Sequence, residues 1–410
     1  MMKPVTAVVL GAGSRGSTYA GFAKDHPDQL QIVAVAEPRA DRRNILADSL
    51  GIPGANRFAS WQELLARPRM ADCAFICTLD DDHTAPAIMA MELGYHLLLE
   101  KPMSNTEEEC RAIVDTADRT GRALAVCHVL RYTPFYMTLK ALIEQGEIGE
   151  VTTINQIENV GYWHQAHSFV RGNWRTVRET SPMLLQKSCH DMDIILWLMG
   201  RDCRRVQSFG SLRYFTPDNA PAGAPERCLD GCPHAETCPY YAPALYMDMR
   251  RTGWPVDVIT TDLSEAGRRK ALQEGPYGRC VYHCDNDVVD RQVVNLEFDG
   301  GAVATFTMTA FSADFSRQLK IFGTRGQITA DMGTGEILLH RFGEERRRIP
   351  LLEGPERSGH GGGDYGILHD FLQVLRSGGE SRTSARVSLQ SHLICFAAER
   401  SRREQIVVPL

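Results

Sequence analysis

Six residues near the amino terminus constrain this chain more than any others. Gly11-Ala12-Gly13-Ser14-Arg15-Gly16 stands between a nearly continuous apolar run, residues 5–10, and a helix-compatible stretch, residues 17–24. Such an apolar run is the pattern of a strand buried on both faces. In a strand–G-x-G-x-x-G–helix turn, the first glycine permits the tight turn. The second admits a pyrophosphate against the backbone, and the third lets the helix pack on the strand. The helix start offers free N–H groups and the positive end of its dipole to the anion. Gly11, Gly13, Ser14, Arg15 and Gly16 are therefore candidate cofactor contacts. Glu37 lies 21 residues beyond Gly16, at the end of a second apolar run over 31–36. A carboxylate there accepts from the ribose hydroxyls and repels a 2′-phosphate, which favours NAD. Arg39 nearby could relieve that repulsion, so NADP stays open.

Further apolar runs at 71–78, 95–99 and 124–129 alternate with helical patterns at 41–50, 85–93 and 106–119. That rhythm predicts a doubly wound parallel sheet over residues 1–129, an α/β Rossmann domain. Past residue 130 the pattern changes. Helices are expected over 135–145 and 183–199. Strands are expected over 151–160, 206–215, 293–298, 302–311, 319–323, 327–331 and 336–342, mostly with period-two alternation. Asp299-Gly300-Gly301 reads as a hairpin turn between two of them. Residues 130–410 should thus form an α+β domain with a large, mostly antiparallel sheet, interrupted by a Cys-rich insertion at 216–284.

A chain of 410 residues is long enough for two cores. Its net charge of −6 and lack of basic tracts argue against a nucleic-acid partner. No apolar run is long enough to cross a bilayer, and the start does not read as a secretion signal, so a cytoplasmic protein without membrane contact is expected.

Glu100-Lys101-Pro102 ends the strand at 95–99. Thr78-Leu79-Asp80-Asp81-Asp82-His83 precedes it and Arg131-Tyr132-Thr133-Pro134 follows. In order and spacing these motifs resemble the glucose–fructose oxidoreductase/inositol dehydrogenase (Gfo/Idh/MocA) family, over both domains. The resemblance implies a lysine, here Lys101, beside the nicotinamide and the substrate hydroxyl, hydrogen-bonding the reacting oxygen. It also implies that Pro102 follows a cis peptide bond that aims the lysine. Thr78, His83 and Glu100 join the expected cofactor side, and Arg131 and Tyr132 the substrate side.

In the helix over 183–199, Leu185, Cys189, Met192 and Met199 share one face. Gln186, His190 and Asp193 share another, with Lys187 beside it. The family's dehydrogenases carry an acid four residues before the histidine. His190 matches the histidine, but position 186 is glutamine, which cannot ionise. Lys187, one turn from His190, could supply charge instead. His190 and Lys187 are accordingly candidate catalytic residues beside Lys101, with Gln186 on the substrate.

The segment from Asn159 to Arg175 reads as a polar, aromatic substrate loop. Tyr162, Trp163, His164, Asn173 and Trp174 would stack on sugar faces or bind hydroxyls. His360-Gly361-Gly362-Gly363-Asp364-Tyr365 is similar, its glycines allowing close approach of backbone to ligand, with His360 toward the substrate.

Five of the twelve cysteines fall within 228–284. Cys228-x3-Cys232-x5-Cys238 plus Cys280 would suffice for a closed tetrahedral zinc site, with Cys284, His234 and His283 as spare ligands. A structural zinc would order a segment expected to have no core of its own. An iron–sulfur cluster or free thiols remain alternatives.

The function expected from all this is an NAD-dependent oxidoreductase that moves a hydride to or from a hydroxyl-bearing carbon of a sugar, glycoside or polyol. One alternative is a glycoside hydrolase or lyase that oxidises the ring transiently and returns the hydride. Another is a non-catalytic dinucleotide sensor. Too few helices cover the antiparallel sheet, so a homodimer or homotetramer is expected.

Overall fold

The computed structural model describes residues 3–354 and 359–410. The chain forms two compact units. The first comprises Met1–Glu150, Cys189–Asp202 and Ile349–Phe396, and the second Val151–Ser188, Cys203–Arg348 and Ala397–Leu410.

The first unit holds a parallel sheet of β1 (Val5–Leu10), β2 (Leu30–Ala36), β3 (Arg57–Phe58), β4 (Cys73–Ile76), β5 (His96–Leu99) and β6 (Leu124–Val126), in the order β3-β2-β1-β4-β5-β6. Strand order reverses between β1 and β4, and in such sheets ligands bind outside the carboxyl ends at that point. Alternate residues of β1 feed two cores. Ala7 and Val9 pack with Tyr19 and Phe22 of helix Ser14–Asp25 and with Ile367, Leu368 and Phe371 of helix Gly363–Ser377. Val8 and Leu10 pack on the other face with Ala87 and Met91, Ile113 and Val114, and Leu389. A sheet buried on both faces needs helices on both, and the C-terminal segment supplies part of that cover. This is why the first unit reaches beyond the linear boundary at residue 130.

The second unit holds β7 (Val151–Asn159), β8 (Cys203–Ser211), β9 (Arg291–Phe298), β10 (Val303–Thr309), β11 (Ser316–Gly323), β12 (Gly326–Asp331), β13 (Glu336–Arg341), β14 (Arg347–Arg348) and β15 (Val408–Pro409). Their order is β14-β13-β12-β11-β7-β10-β9-β8-β15. Only β7 and β10 pair in parallel; the other pairs are antiparallel. Burial alternates along β9 and β10, as period two demands.

Two expectations about local structure need correction. The segment after β7 is not an open loop but helical, Tyr162–His164 followed by a π-helical stretch at Gln165–Arg171 whose seven residues are all buried. The Cys-rich insertion does have cores. Ala242, Tyr246, Val256, Leu272 and Tyr277 form one cluster, and Phe215, Tyr240, Val281 and Tyr282 join Ala166 and Val170 in another. Tyrosines carry that burial, and they escape a periodicity search built on aliphatic residues. The buried guanidinium of Arg268 adds a latch, donating to the carbonyl oxygens of Leu263, Tyr246, Asp248 and Arg251.

Candidate active site

The glycine turn follows β1. Gly11 has φ +95, and a Cβ there would stand 2.3 Å from the Cys77 carbonyl oxygen; a Cβ on Gly16 would stand 1.9 Å from the carbonyl oxygen of Gly11. Both glycines are demanded by the protein's own packing. Gly13 is different. Its backbone is extended, and the nearest atom to a Cβ would be Arg42 Nη1 at 3.8 Å. No protein atom requires a glycine here, as expected where the backbone must leave room for a ligand. Helix Ser14–Asp25 starts at Gly13 without a side-chain cap, so its first N–H groups point out without an internal acceptor. The turn therefore fits a pyrophosphate.

Glu37, nine-tenths buried, accepts from the main-chain N–H of Ala12 at 2.8 Å and of Arg39 at 2.9 Å. It thus ties the end of β2 to the turn, and an ionised carboxylate keeps lone pairs for hydroxyl donors. Arg39 points its guanidinium at Asp41, 2.8 Å away. Its charge is answered there, which weakens the case for a 2′-phosphate.

Arg15 turns inward. It donates to Glu100 Oε1 at 2.7 Å, to Asp364 at 2.6 Å and to the Tyr19 hydroxyl at 2.6 Å, and Tyr19 donates to Glu100 in turn. Burial pushes the Glu100 carboxyl up, but Arg15, Lys101 and the hydrogen bonds from Arg15 and Tyr19 outweigh it and leave its pKa lowered. Burial likewise opposes ionisation of Asp364, and Arg15 and His360 overcome it. His360, left-handed at φ 52, places Nδ1 3.0 Å from Asp364 Oδ1.

Lys101 follows β5, and the Lys101–Pro102 peptide is cis. The turn is pinned at three points. Glu100 accepts from the Lys101 N–H at 2.8 Å. His83 Nδ1 lies 2.7 Å from the Pro102 carbonyl oxygen, which can only accept, so that nitrogen carries the proton. The Met103 N–H donates to His392 Nε2, and His392 Nδ1 donates to the Ser388 carbonyl oxygen at 2.8 Å. Thr78 Oγ1 is bound to the Asp82 carbonyl oxygen at 2.7 Å, which shapes the turn after β4.

Histidines gather beside this lysine. His128 packs edge-on at 5.7 Å from His190 and 5.6 Å from His392, and His190 lies 6.3 Å from His360. Burial lowers the pKa of His128 and takes that of His392 down to about 3, and the Lys101 ammonium contributes to both shifts. The same charge counteracts the burial that raises the Cys189 thiol to about 12. Lys101 and His190 are thus brought into one neighbourhood within the first unit, around His128.

Arg131 and Tyr132, expected on the substrate side, lie instead in buried internal networks. Arg131 forms a two-pronged pair with Asp193, 2.7 Å at each contact, and Tyr132 donates to Asp370 at 2.9 Å. These contacts use the polar atoms a ligand would have needed. Asp193, drawn with Gln186 and His190 on one helix face, serves that same pair.

In the second unit, Lys187 Nζ lies 3.2 Å from Glu158 Oε1, and Arg317 Nη2 lies 2.7 Å from Glu158 Oε2. Trp163 and His164 meet Trp254 and Phe315, with ring centroids 5.0–6.5 Å apart. Gln186 is buried, Tyr162 packs near Tyr240, Asn173 is exposed and Trp174 flanks Phe169.

Cys228, Cys232, Cys238 and Cys280 do line one small cavity, with His234 and Arg171. Among the described residues, however, no three Cys, His, Asp or Glu side chains are grouped so as to hold a metal ion, and no cysteine is in a disulfide. The described residues therefore give the zinc expectation no support. Its premise was a segment without a core, and the tyrosine clusters remove that premise. Burial keeps the Cys238 and Cys280 thiols raised.

Sequence reasoning missed His128, His392, Glu158 and Arg317. The first two sit at positions without a motif. Glu158 and Arg317 face each other across β7 and β11, a register that only the folded sheet reveals. Among the described residues, no helix is long and apolar enough to cross a membrane.

Comparison with known proteins agrees with this architecture. Residues 5–128 match the oxidoreductase family described as an NAD-binding Rossmann fold (GFO_IDH_MocA), and residues 140–410 match the C-terminal alpha/beta domain of the same family. YteT of Bacillus subtilis is 27% identical over 322 residues, covering 75% of this chain and 73% of that protein. An inositol 2-dehydrogenase of Corynebacterium glutamicum is 28% identical over 202 residues, 49% of this chain and 56% of that enzyme. The WlbA dehydrogenase of Bordetella pertussis, solved with NADH and UDP-GlcNAcA, superposes with a TM-score of 0.69 at 18% identity, covering 100% of this chain and 99% of that one.

Proposed function

The chain belongs to the Gfo/Idh/MocA oxidoreductase family, and from that premise we propose that it is an NAD-dependent dehydrogenase of a sugar, glycoside or polyol. The observation that carries the reading is the gathering of Lys101 and His190 around the buried His128, in the unit that bears the glycine turn. The relatives that act on inositol or are seen with NADH and UDP-GlcNAcA lend it a substrate class.

A bound NAD would supply the hydride acceptor for the carbinol carbon of the substrate. The main-chain N–H groups of the turn at Gly11, Gly13, Ser14 and Gly16 would hold its pyrophosphate, and Glu37 would accept from its adenosine ribose. Thr78, His83, Glu100 and Arg15 shape the turns around the nicotinamide end. The Lys101 ammonium donates to the substrate oxygen and stabilises the negative charge that grows there as the hydride departs. His190 takes the hydroxyl proton, so that the alcohol becomes a ketone and one proton is released. His360, held by Asp364, lies close enough to His190 to order the substrate beside it. Trp163 and His164 form an aromatic wall, and Tyr162, Trp174, Asn173 and Gln186 belong to the same helical segment or its neighbours. Incubating the protein with NAD and a panel of inositols, aldoses and their glycosides tests the reading: stoichiometric NADH from at least one is expected. Failure of every member with NADH bound normally would count against it.

A second reading rests on Gln186. Without an ionisable acid at that position the chain departs from the pattern that the family resemblance implies, and a transient ring oxidation followed by elimination, water addition and return of the hydride is compatible with Lys101 and His190. Aglycone release from aryl glycosides without net NADH would select it.

We further propose that the open face of the second sheet joins copies into a homodimer or homotetramer. Ile157, Phe209 and Val303 share that face by register and are 38%, 58% and 43% exposed. A monomer by light scattering at micromolar concentration would remove this proposal.

A further inference from the structure

Within the first unit, Arg15 joins three segments that lie far apart in sequence. Its Nε donates to Glu100 Oε1 at 2.7 Å, across 85 positions, and Glu100 directly precedes Lys101. Its two terminal nitrogens fork onto Asp364, across 349 positions, Nη1 to Oδ2 at 3.1 Å and Nη2 to Oδ1 at 2.6 Å. The guanidinium also lies over the Tyr19 ring, 4.7 Å from its centroid. The backbone of Arg15 has a different task. It is the second residue of helix Ser14–Asp25, just past the uncapped start at Gly13. Its main-chain N–H is therefore among the donors that the turn offers to a pyrophosphate. One residue thus serves the dinucleotide turn with its backbone and two distant carboxylates with its side chain.

The loop before helix Gly363–Ser377 is built around one of those carboxylates. His360, Gly361 and Gly362 are left-handed in succession, at φ +52, +66 and +97. Glycine enters that region freely, whereas a histidine there is strained and persists only where its surroundings hold it. Asp364 supplies the hold. His360 Nδ1 lies 3.0 Å from Asp364 Oδ1, the oxygen that also accepts from Arg15 Nη2. Gly359 closes on the other oxygen, since a Cβ there would stand 2.1 Å from Asp364 Oδ2. Burial pushes the Asp364 carboxyl up, but Arg15 and His360 outweigh it and hold it well below the usual carboxylate range. Without the guanidinium, an anion in the interior would lose its main partner.

We propose that Arg15 is a positioning residue through which a dinucleotide at the glycine turn orders the loop over 359–364 and the turn that carries Lys101. The inference rests on the dinucleotide reading of the glycine turn and adds a coupling to it. An anion held by the N–H groups at the helix start fixes the backbone from which the Arg15 side chain reaches. The planar fork then sets Asp364, and Asp364 sets His360; the remaining donor of the same guanidinium sets Glu100 beside Lys101. A lysine could carry the charge but not the fork, so it could not fix both carboxylates at once. The histidine motif of the loop and the lysine motif after β5 are thereby oriented from one point.

The test is hydrogen exchange read by mass spectrometry on the full chain, with and without saturating NADH. In the wild type, NADH should slow exchange by about threefold or more both at the glycine turn and over 359–364. In D364N, whose turn is untouched, NADH should still protect the turn but lose most of its effect on the loop. R15Q should behave alike once NADH is raised to saturation, and R15K should recover part of the loop's protection. A merely structural role would loosen the loop in these variants with and without NADH alike, leaving the NADH-dependent difference in place. If R15Q fails to fold, D364N and R15K carry the test. Turnover gives a second readout. With a sugar that the wild type oxidises, D364N should lower kcat by about tenfold or more while the Kd for NADH stays within about threefold. Protection of the turn alone in the wild type, or full protection of the loop in D364N and R15Q, overturns the proposal. Protection of neither segment would remove the dinucleotide reading and this coupling with it. The expected exchange pattern with no sugar oxidised would leave the coupling standing and remove the dehydrogenase.

Discussion

The main-chain N–H of Met103 donates to Nε2 of His392 over 2.9 Å, across 289 positions of sequence. His392 is fully buried, and its other nitrogen is committed to the Ser388 carbonyl oxygen. The bond fixes the turn that carries Lys101 to a helix with no part in the glycine motif. His392 is thus a positioning residue.

Replacing His392 by leucine leaves the Met103 N–H unpaired in the interior, at a cost of about 1–3 kcal/mol. We predict a lowered kcat, by about tenfold, with the Kd for NADH unchanged. Fluorescence titration and steady-state rates separate the two. The same variant carries a pH signature. The folded pKa of His392 is depressed to about 3, against about 6.5 when unfolded. The neutral form therefore contributes stability that is complete above about 6.5 and is lost as pH falls toward 3, at up to about 1.4 kcal/mol per pH unit. His128 adds a shift of the same sign. Urea unfolding across that range should show a shallower pH slope in H392L than in the wild type.

The glycines of the turn separate fold from binding. Gly13→Ala meets no protein atom closer than 3.8 Å and keeps an extended backbone, so the melting temperature should hold while NAD affinity falls by at least about tenfold. Gly16→Ala drives a Cβ to 1.9 Å from a carbonyl oxygen and should destabilise the first unit outright. Thermal melts with and without NAD distinguish them. Equal destabilisation by both would contradict the assignment.

Glu37 and Arg39 set the choice of dinucleotide. Glu37→Ala should weaken NAD by about 1.5–3 kcal/mol, the range for hydrogen bonds to a charged group. It should not by itself create NADP binding, because Arg39 is held by Asp41. Adding Asp41→Ala should free the guanidinium and raise NADP affinity. Competition titrations with both dinucleotides report the outcome.

The parts of this molecule that were legible in sequence are those where a short motif dictates its own geometry. The glycine turn, Glu37 and the Lys101 turn are local, and the longer strands of both sheets follow from burial on one face or two, whereas β3, β14 and β15, of two residues each, are too short to show a period and were not expected. Helix Ala385–Glu404 was not anticipated, although its first part completes the cover of the parallel sheet. Arg131 and Tyr132 misled for a related reason. A motif names residue types, and only the fold shows that Asp193 and Asp370 already occupy them. The cysteine spacing was a pattern without a periodic core around it, and the buried tyrosines supplied that core. Glu158 and Arg317, 159 positions apart, became partners only through sheet register.

The central claim is that Lys101 and His190 act on one substrate oxygen. Single-turnover transfer of deuterium from a carbon-labelled sugar to NAD, followed by mass spectrometry of the NADH, measures it most directly. Wild type should deliver the label, and K101M and H190A should each slow delivery by about 10²–10⁴-fold while binding NADH as the wild type does. Delivery at the wild-type rate in either variant, or solvent hydrogen in place of the label, would contradict the account.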